Sequence, residues 1–210
     1  MINILIADDH TLVRKGLKQL LLDTRDIERV DEARDGKETI NKINKKDYDL
    51  VLLDISLPGR SGIDVLKQLK SLKPKLPVLI LSMHPEEQYA IRSLRAGAAG
   101  YLTKESAPDE LLDAIRKVAI GGKYITSSLA EKLAGEIGPR TEKPLHETLS
   151  DREYQVMCMI ASGKTVKDIA EELNLSVKTI STHRARILRK MHMDNNAQLT
   201  HYAIKHNLVV

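Results

Sequence analysis

Three carboxylates, a hydroxyl and an ammonium are spaced so that they could act on one group: Asp8 beside Asp9, then Asp54, Ser82 and Lys104. Each lies at or just beyond the end of a short aliphatic run (ILIA, VLL, VLIL, YLT). Carboxylates gathered in one place repel one another unless a cation intervenes, and oxygen-only ligands with room for water suit Mg2+. A divalent cation and an ammonium neutralise phosphoryl oxygens, while a hydroxyl donates to one of them. The set therefore has the chemistry that an acyl phosphate on a carboxylate requires. An acidic pair at a strand end is often a plain solvated loop start, and a lone lysine means little. The weight rests on the joint placement of all these residue types. His10 and His84 border the set and are read as secondary, tuning water access.

Elements must bring these residues together. Short aliphatic runs at 2–7, 28–33, 50–54, 77–81 and 99–102 predict strands, and the stretches between them carry apolar residues at helical spacing, as in Leu12, Leu17, Leu20 and Leu21. Strands alternating with helices indicate crossover units and a parallel sheet covered on both faces. With strand order 2-1-3-4-5, the first and third strands are neighbours where the order reverses, and ligands of open α/β sheets gather at that point. Asp8, Asp9 and Asp54 then converge. Residues 1–120 suffice for such a doubly wound, five-stranded domain.

The rest of the chain changes character. Residues 121–147 read as a linker with a short helix, capped by Ser127 or Ser128, and the polar stretch 138–148 carries Gly138, Pro139 and Pro144. Residues 148–210 are helical in pattern. Ser150 and Glu153 match a capping box, a second helix starts near Thr165 and stops at Asn174, a third follows Ser176, and a fourth follows Asn195-Asn196. A single cysteine, Cys158, excludes an intramolecular disulfide framework and a cysteine-rich zinc site. No apolar run approaches the roughly 20 residues of a membrane span, and the first residues lack a secretory signal, so a cytoplasmic protein without membrane contact is expected. With six tyrosines but no Trp and no Phe, the composition argues against binding single-stranded nucleic acid, which relies on aromatic stacking platforms.

Asp8-Asp9, Asp54 within LLDISLPG-x-SG, Ser82, and Lys104 after Tyr101 resemble the receiver domain of two-component response regulators over about residues 1–120. The resemblance implies a flavodoxin-like fold in which Asp54 takes a phosphoryl group from the phosphohistidine of a sensor histidine kinase and later loses it by self-dephosphorylation. It further implies Mg2+ held by Asp9, Asp54 and the main-chain carbonyl of Ser56, with Asp8 in support. Lys104 pairs with the phosphoryl group, and Ser82 and Tyr101 act as the switch, Tyr101 moving into space that Ser82 vacates. The same resemblance makes the Lys104-Glu105 peptide a candidate for the cis form.

In the C-terminal region, helix, short turn and helix over 165–191 have the spacing of a helix-turn-helix. One side of the second helix carries Ile180, Ile187 and Met191, and the other Lys178, Thr182, Ala185, Arg186 and Arg189. Taken alone, that second side reads more readily as a solvated basic face than as a DNA contact. Between 178 and 205 six basic residues face one acid, Asp194, so a polyanion would bind there. LSDRE at 149–153, ASGKT at 161–165, IA-x-x-L at 169–173 and SVKTISTH at 176–183 resemble the LuxR-type DNA-binding domain. The whole chain is thereby similar to the NarL/FixJ-type response regulators.

This resemblance implies Ser181, Thr182 and Ala185 near base edges of double-stranded DNA. Lys178, His183 and Arg189 lie nearer the backbone, and Thr179 and Arg186 complete the face. Many members carry lysine where this chain has Ser181, which weakens phosphate binding there. Arg184 falls toward the buried side and is expected to pair with Glu153. The exposed part of the last helix supplies a homodimer contact in the family, although its residues alone read nearly as well as a plain core helix. The expected protein is a transcription regulator gated by phosphorylation of Asp54, not an enzyme. Two readings compete. An Mg2+-dependent phosphohydrolase of the haloacid dehalogenase type would carry a second Asp where this chain has Ser56. A receiver working by protein contact alone would not need the intact pocket.

Overall fold

The computed structural model describes residues 1–135 and 144–209. The chain divides into two compact units, Met1–Glu131 and Lys132–Val210. The first is built on strands β1 (Ile2–Ala7), β2 (Ile27–Ala33), β3 (Leu50–Leu53), β4 (Val78–Ser82) and β5 (Gly100–Thr103). All pairings are parallel and the order is β2-β1-β3-β4-β5. The middle strands are buried on both faces, which is why LVLL and VLILS read as unbroken aliphatic runs. Pro77 lies outside β4 because it has no N–H for the ladder, yet its carbonyl still accepts the Val51 N–H at 3.0 Å.

Helices α1 (Thr11–Leu22), α2 (Gly36–Lys45), α3 (Gly62–Leu72), α4 (Glu86–Arg95) and α5 (Pro108–Ala119) cover the sheet. Asp35 caps α2 and Ser61 caps α3, while Pro108 opens α5 at the position where a missing N–H costs nothing. Helix α6 (Ser127–Gly135) is capped by Thr126, not by Ser127 or Ser128: its hydroxyl accepts the Leu129 N–H at 3.2 Å and donates to Glu86. Gly138 and Pro139 of the expected linker lie outside the described residues.

In the second unit a 3-10 turn (Leu145–Thr148) falls inside the stretch read as polar linker, and α7 (Asp151–Ala161), α8 (Val166–Glu172), α9 (Val177–Lys190) and α10 (Asn196–Lys205) follow. Ser150 and Glu153 form the expected capping box, and Thr165 with Asp168 forms a second. Asn174, at φ 51°, turns the chain between α8 and α9, a left-handed conformation that asparagine tolerates. Ile169, Ile180, Ile187, Met191, Leu199 and Ala203 make an aliphatic core. No peptide bond among the described residues is cis. The expectation for Lys104-Glu105 is thus corrected: Lys104 N–H donates to Ser82 and Ser106 N–H to Thr103, closing the turn without the cost of a non-proline cis bond. No described helix is long and apolar enough to cross a membrane.

Candidate functional site

Strands β1 and β3 are hydrogen-bonded neighbours, and the chain leaves both on the same edge, so Asp8, Asp9 and Asp54 meet there. Gly62 allows the loop after Asp54 to fold back. A Cβ at position 62 would stand 2.1 Å from the Asp54 carbonyl oxygen. Lys104 reaches in from the end of β5. Its side chain is only 4% exposed, and the ammonium lies 2.7 Å from both Asp8 Oδ2 and Asp54 Oδ2. Burial pushes the Asp54 carboxyl above the ordinary carboxylate value, although Lys104 opposes the rise. Burial alone would depress the Lys104 ammonium, but Asp54 and Asp8 outweigh it and hold it above the usual lysine value.

The oxygens are almost all spoken for. Asp8 Oδ1 accepts the His10 N–H at 2.8 Å and Asp54 Oδ1 accepts the Ser56 N–H at 3.1 Å. Asp9 Oδ1 is buried and accepts no hydrogen bond. Atoms of Asp8, Asp9, His10 and Asp54 that could ligate a cation all lie within 4.8 Å of one another.

Ser82 ends β4 fully buried, and its Oγ accepts the His84 N–H at 3.1 Å. The Tyr101 ring is already inside, 1% exposed, with its hydroxyl donating to the His84 carbonyl at 2.8 Å. The His84 carbonyl thereby satisfies the buried phenol. Ser82 and Tyr101 are joined through the main chain of His84. That residue also places its Nε2 3.1 Å from Ser56 Oγ. The sequence marked His84 only as a neighbour. It did not single out Arg14, whose guanidinium donates to the Asp8 carbonyl at 2.6 Å. Its place four residues after His10, on the same side of α1, was the available signal.

On α9, Lys178, Ser181, Thr182, Ala185, Arg186 and Arg189 are exposed, whereas Thr179 and His183 are half-buried. The Thr182 hydroxyl donates to the Lys178 carbonyl at 2.9 Å. Burial, with Arg152 nearby, holds the His183 imidazolium below the usual histidine value. The expected Arg184–Glu153 pair is absent. Arg184 donates to Asn196 Oδ1 at 2.7 Å, and Glu153 instead takes the Lys190 ammonium at 2.6 Å. On α10, Leu199 and Ala203 are buried, while Ile204 is 56% exposed.

The chain thus joins a doubly wound unit with a lysine-bridged acidic pocket to a unit that carries a helix-turn-helix. Residues 4–116 match the family model "Response regulator receiver domain", and residues 147–203 match "Bacterial regulatory proteins, luxR family". The chain is 40% identical to response regulator UvrY of Escherichia coli (strain K12), covering 99% of this chain and 96% of that protein. It is 34% identical to response regulator GacA of Pseudomonas aeruginosa, covering 100% and 98%. Among solved structures, RcsB from Salmonella enterica serovar Typhimurium, bound to promoter rprA in the presence of the phosphomimetic BeF3−, aligns with TM-score 0.66 and 30% identity, covering 96% of this chain and 97% of that one. The chain belongs to the NarL/FixJ-type two-component response regulators, with a receiver domain and a LuxR-type DNA-binding domain.

Proposed function

We propose that Asp54 is the phosphoacceptor of this regulator and that its phosphorylation controls DNA binding by α9. The observation that carries the reading is a buried aspartate bridged to Asp8 by one ammonium, beside a buried Asp9 oxygen that accepts no hydrogen bond. That oxygen, with the close approach of the three carboxylates, fits a hard divalent cation. Asp9, Asp54 and the Ser56 carbonyl would hold Mg2+, with Asp8 in support. When bound, it supplies charge neutralisation for phosphoryl oxygens.

The Asp54 carboxylate attacks the phosphorus of a kinase phosphohistidine, the P–O bond forms as the P–N bond breaks, and the imidazole leaves with the electron pair. Lys104 then pairs with the new phosphoryl oxygens. Hydrolysis by water returns the carboxylate and inorganic phosphate, which is the self-dephosphorylation expected of a timer rather than an enzyme. The phosphoryl group carries ~−1.5 to −2 charge in place of the carboxylate's single one and presents new acceptor oxygens, which draw the Ser82 hydroxyl toward it. Because Ser82 Oγ holds the His84 N–H, and Tyr101 the His84 carbonyl, that movement is passed to Tyr101.

The receiver extends over 1–120 and a linker over 121–147, and the DNA-binding domain begins at 148. Ser181, Thr182 and Ala185 read base edges. Lys178, Arg186 and Arg189 meet phosphates, with Thr179 and His183 beside them. Two copies bind a duplex as a homodimer with half-sites about one helical turn apart. A cytoplasmic location suits both partners.

The test is a DNA-binding selection with and without acetyl phosphate, on wild type and Asp54→Ala. Enrichment of one sequence that depends on acetyl phosphate in the wild type alone is the expected outcome. An equal response in the variant would remove Asp54 from its role.

A further inference from the structure

The pocket contains a donor that the reading above does not use. His10 caps α1 through its backbone: its N–H goes to Asp8 Oδ1 at 2.8 Å and its carbonyl takes the Arg14 N–H at 3.0 Å. The imidazole makes no capping hydrogen bond. Instead Nδ1 stands 2.9 Å from Asp9 Oδ1 and 3.3 Å from Asp8 Oδ1. Asp9 Oδ1 nevertheless accepts no hydrogen bond, so the two atoms are close without the alignment that a shared proton would impose. The imidazole nitrogen and the carboxylate oxygen are near enough for one cation to take both as ligands.

We propose that His10 is a metal ligand of this pocket, giving it a nitrogen donor for first-row transition-metal dications in addition to its oxygen set for Mg2+. The inference rests on the divalent-cation reading of the acidic pocket. Ligand atoms of Asp8, Asp9, His10 and Asp54 lie within 4.8 Å of one another, close to the span of roughly 4 Å between opposite ligands of an ion with ~2.1 Å bonds. Rotation of the His10 side chain, which is 57% exposed, supplies the difference. The two classes of cation use the nitrogen differently. Mg2+ takes oxygen and keeps its water, so the imidazole adds little. Dications toward the later end of the row gain from imidazole, so His10 biases the pocket toward them.

Calorimetric titration of the full-length protein with Co2+ and with Mg2+ tests this, reading only the Co2+ signal that saturating Mg2+ displaces, so that surface histidines such as His201 and His206 do not contribute. His10→Ala is expected to weaken Co2+ by about tenfold or more while shifting Mg2+ by less than about twofold. His10→Gln, which retains a polar side chain, should behave alike, and circular dichroism confirms that both variants are folded. In Mn2+-loaded wild type, pulsed electron paramagnetic resonance should show nitrogen modulation from an imidazole that disappears in both variants. If Mg2+ and Co2+ bind and the variants weaken both equally or neither, or if the nitrogen modulation persists, His10 is not a ligand and the oxygen pocket stands. If the wild type binds neither cation, the pocket reading and this inference fall together.

Discussion

At the scale of single residues, Lys104 decides whether the pocket can exist. A buried carboxylate without a counter-charge costs far more than an exposed one, and here one ammonium serves two of them at 2.7 Å each. Lys104→Met leaves Asp8 and Asp54 buried without their cation and should destabilise the receiver by about 3–5 kcal/mol at neutral pH. The pH dependence has a definite sign. Burial already raises the Asp54 carboxyl above its unfolded value, and loss of the lysine raises it further. A carboxyl raised in the fold has its stability in place at low pH and loses it as pH climbs through the raised value. The deficit of Lys104→Met should therefore be large at about pH 8 and shrink toward about pH 5, and Mg2+ should reduce it at the higher pH. Urea unfolding at both pH values checks this, and a deficit independent of pH would show that Lys104 acts through packing.

Elements show what the sequence could and could not reveal. The parallel sheet was legible because its strands are short aliphatic runs buried on both faces, and the pocket was legible because Asp8, Asp54, Ser82 and Lys104 sit at strand ends, where strand order alone decides who meets whom. Capping chemistry located α7, α8, α9 and α10, since Ser150, Thr165, Ser176 and Asn195 each accept the backbone N–H three residues on. Side-chain pairing was not legible, because a helical wheel gives direction but not reach. Arg184 faces inward yet finds the Asn196 amide, while Lys190, one turn and a half further on, arrives at Glu153. Glu153 thus serves two elements at once, accepting the Ser150 N–H at 2.9 Å and the Lys190 ammonium at 2.6 Å. Burial would raise its carboxyl, but these bonds overcome it and hold it below the usual glutamate value. A depressed carboxyl contributes stability that is present above its unfolded value and is lost as pH falls through the folded one. Glu153→Gln should cost about 1–2 kcal/mol at pH 7 and flatten the acid limb of the helical unit's stability curve below about pH 5. Denaturant titrations across that range provide the check, and an unchanged acid limb would mean that another carboxyl controls it.

For the molecule as a whole, the question is what phosphorylation at one unit can alter in the other's grip on DNA. Binding through phosphates releases counterions, so the slope of log K against log salt counts the contacts, whereas the intercept also reports how much protein is competent to bind. The exposed cations of the α9 face are Lys178, Arg186 and Arg189, three on each copy. Two copies on a duplex therefore predict a slope of about −5 if these side chains supply the phosphate contacts. Arg189→Ala should flatten it by about 2, and Ser181→Lys should steepen it by as much, because each change alters one contact per copy. If phosphorylation of Asp54 only shifts the population toward the competent form, apparent affinity rises by the inverse of the competent fraction while the slope stays fixed. Fluorescence anisotropy on a selected duplex, run across a salt series with and without acetyl phosphate, separates the two quantities. A slope that steepens on phosphorylation would mean that a surface beyond α9 comes onto the DNA, and the switch would then be remodelling the interface rather than releasing it.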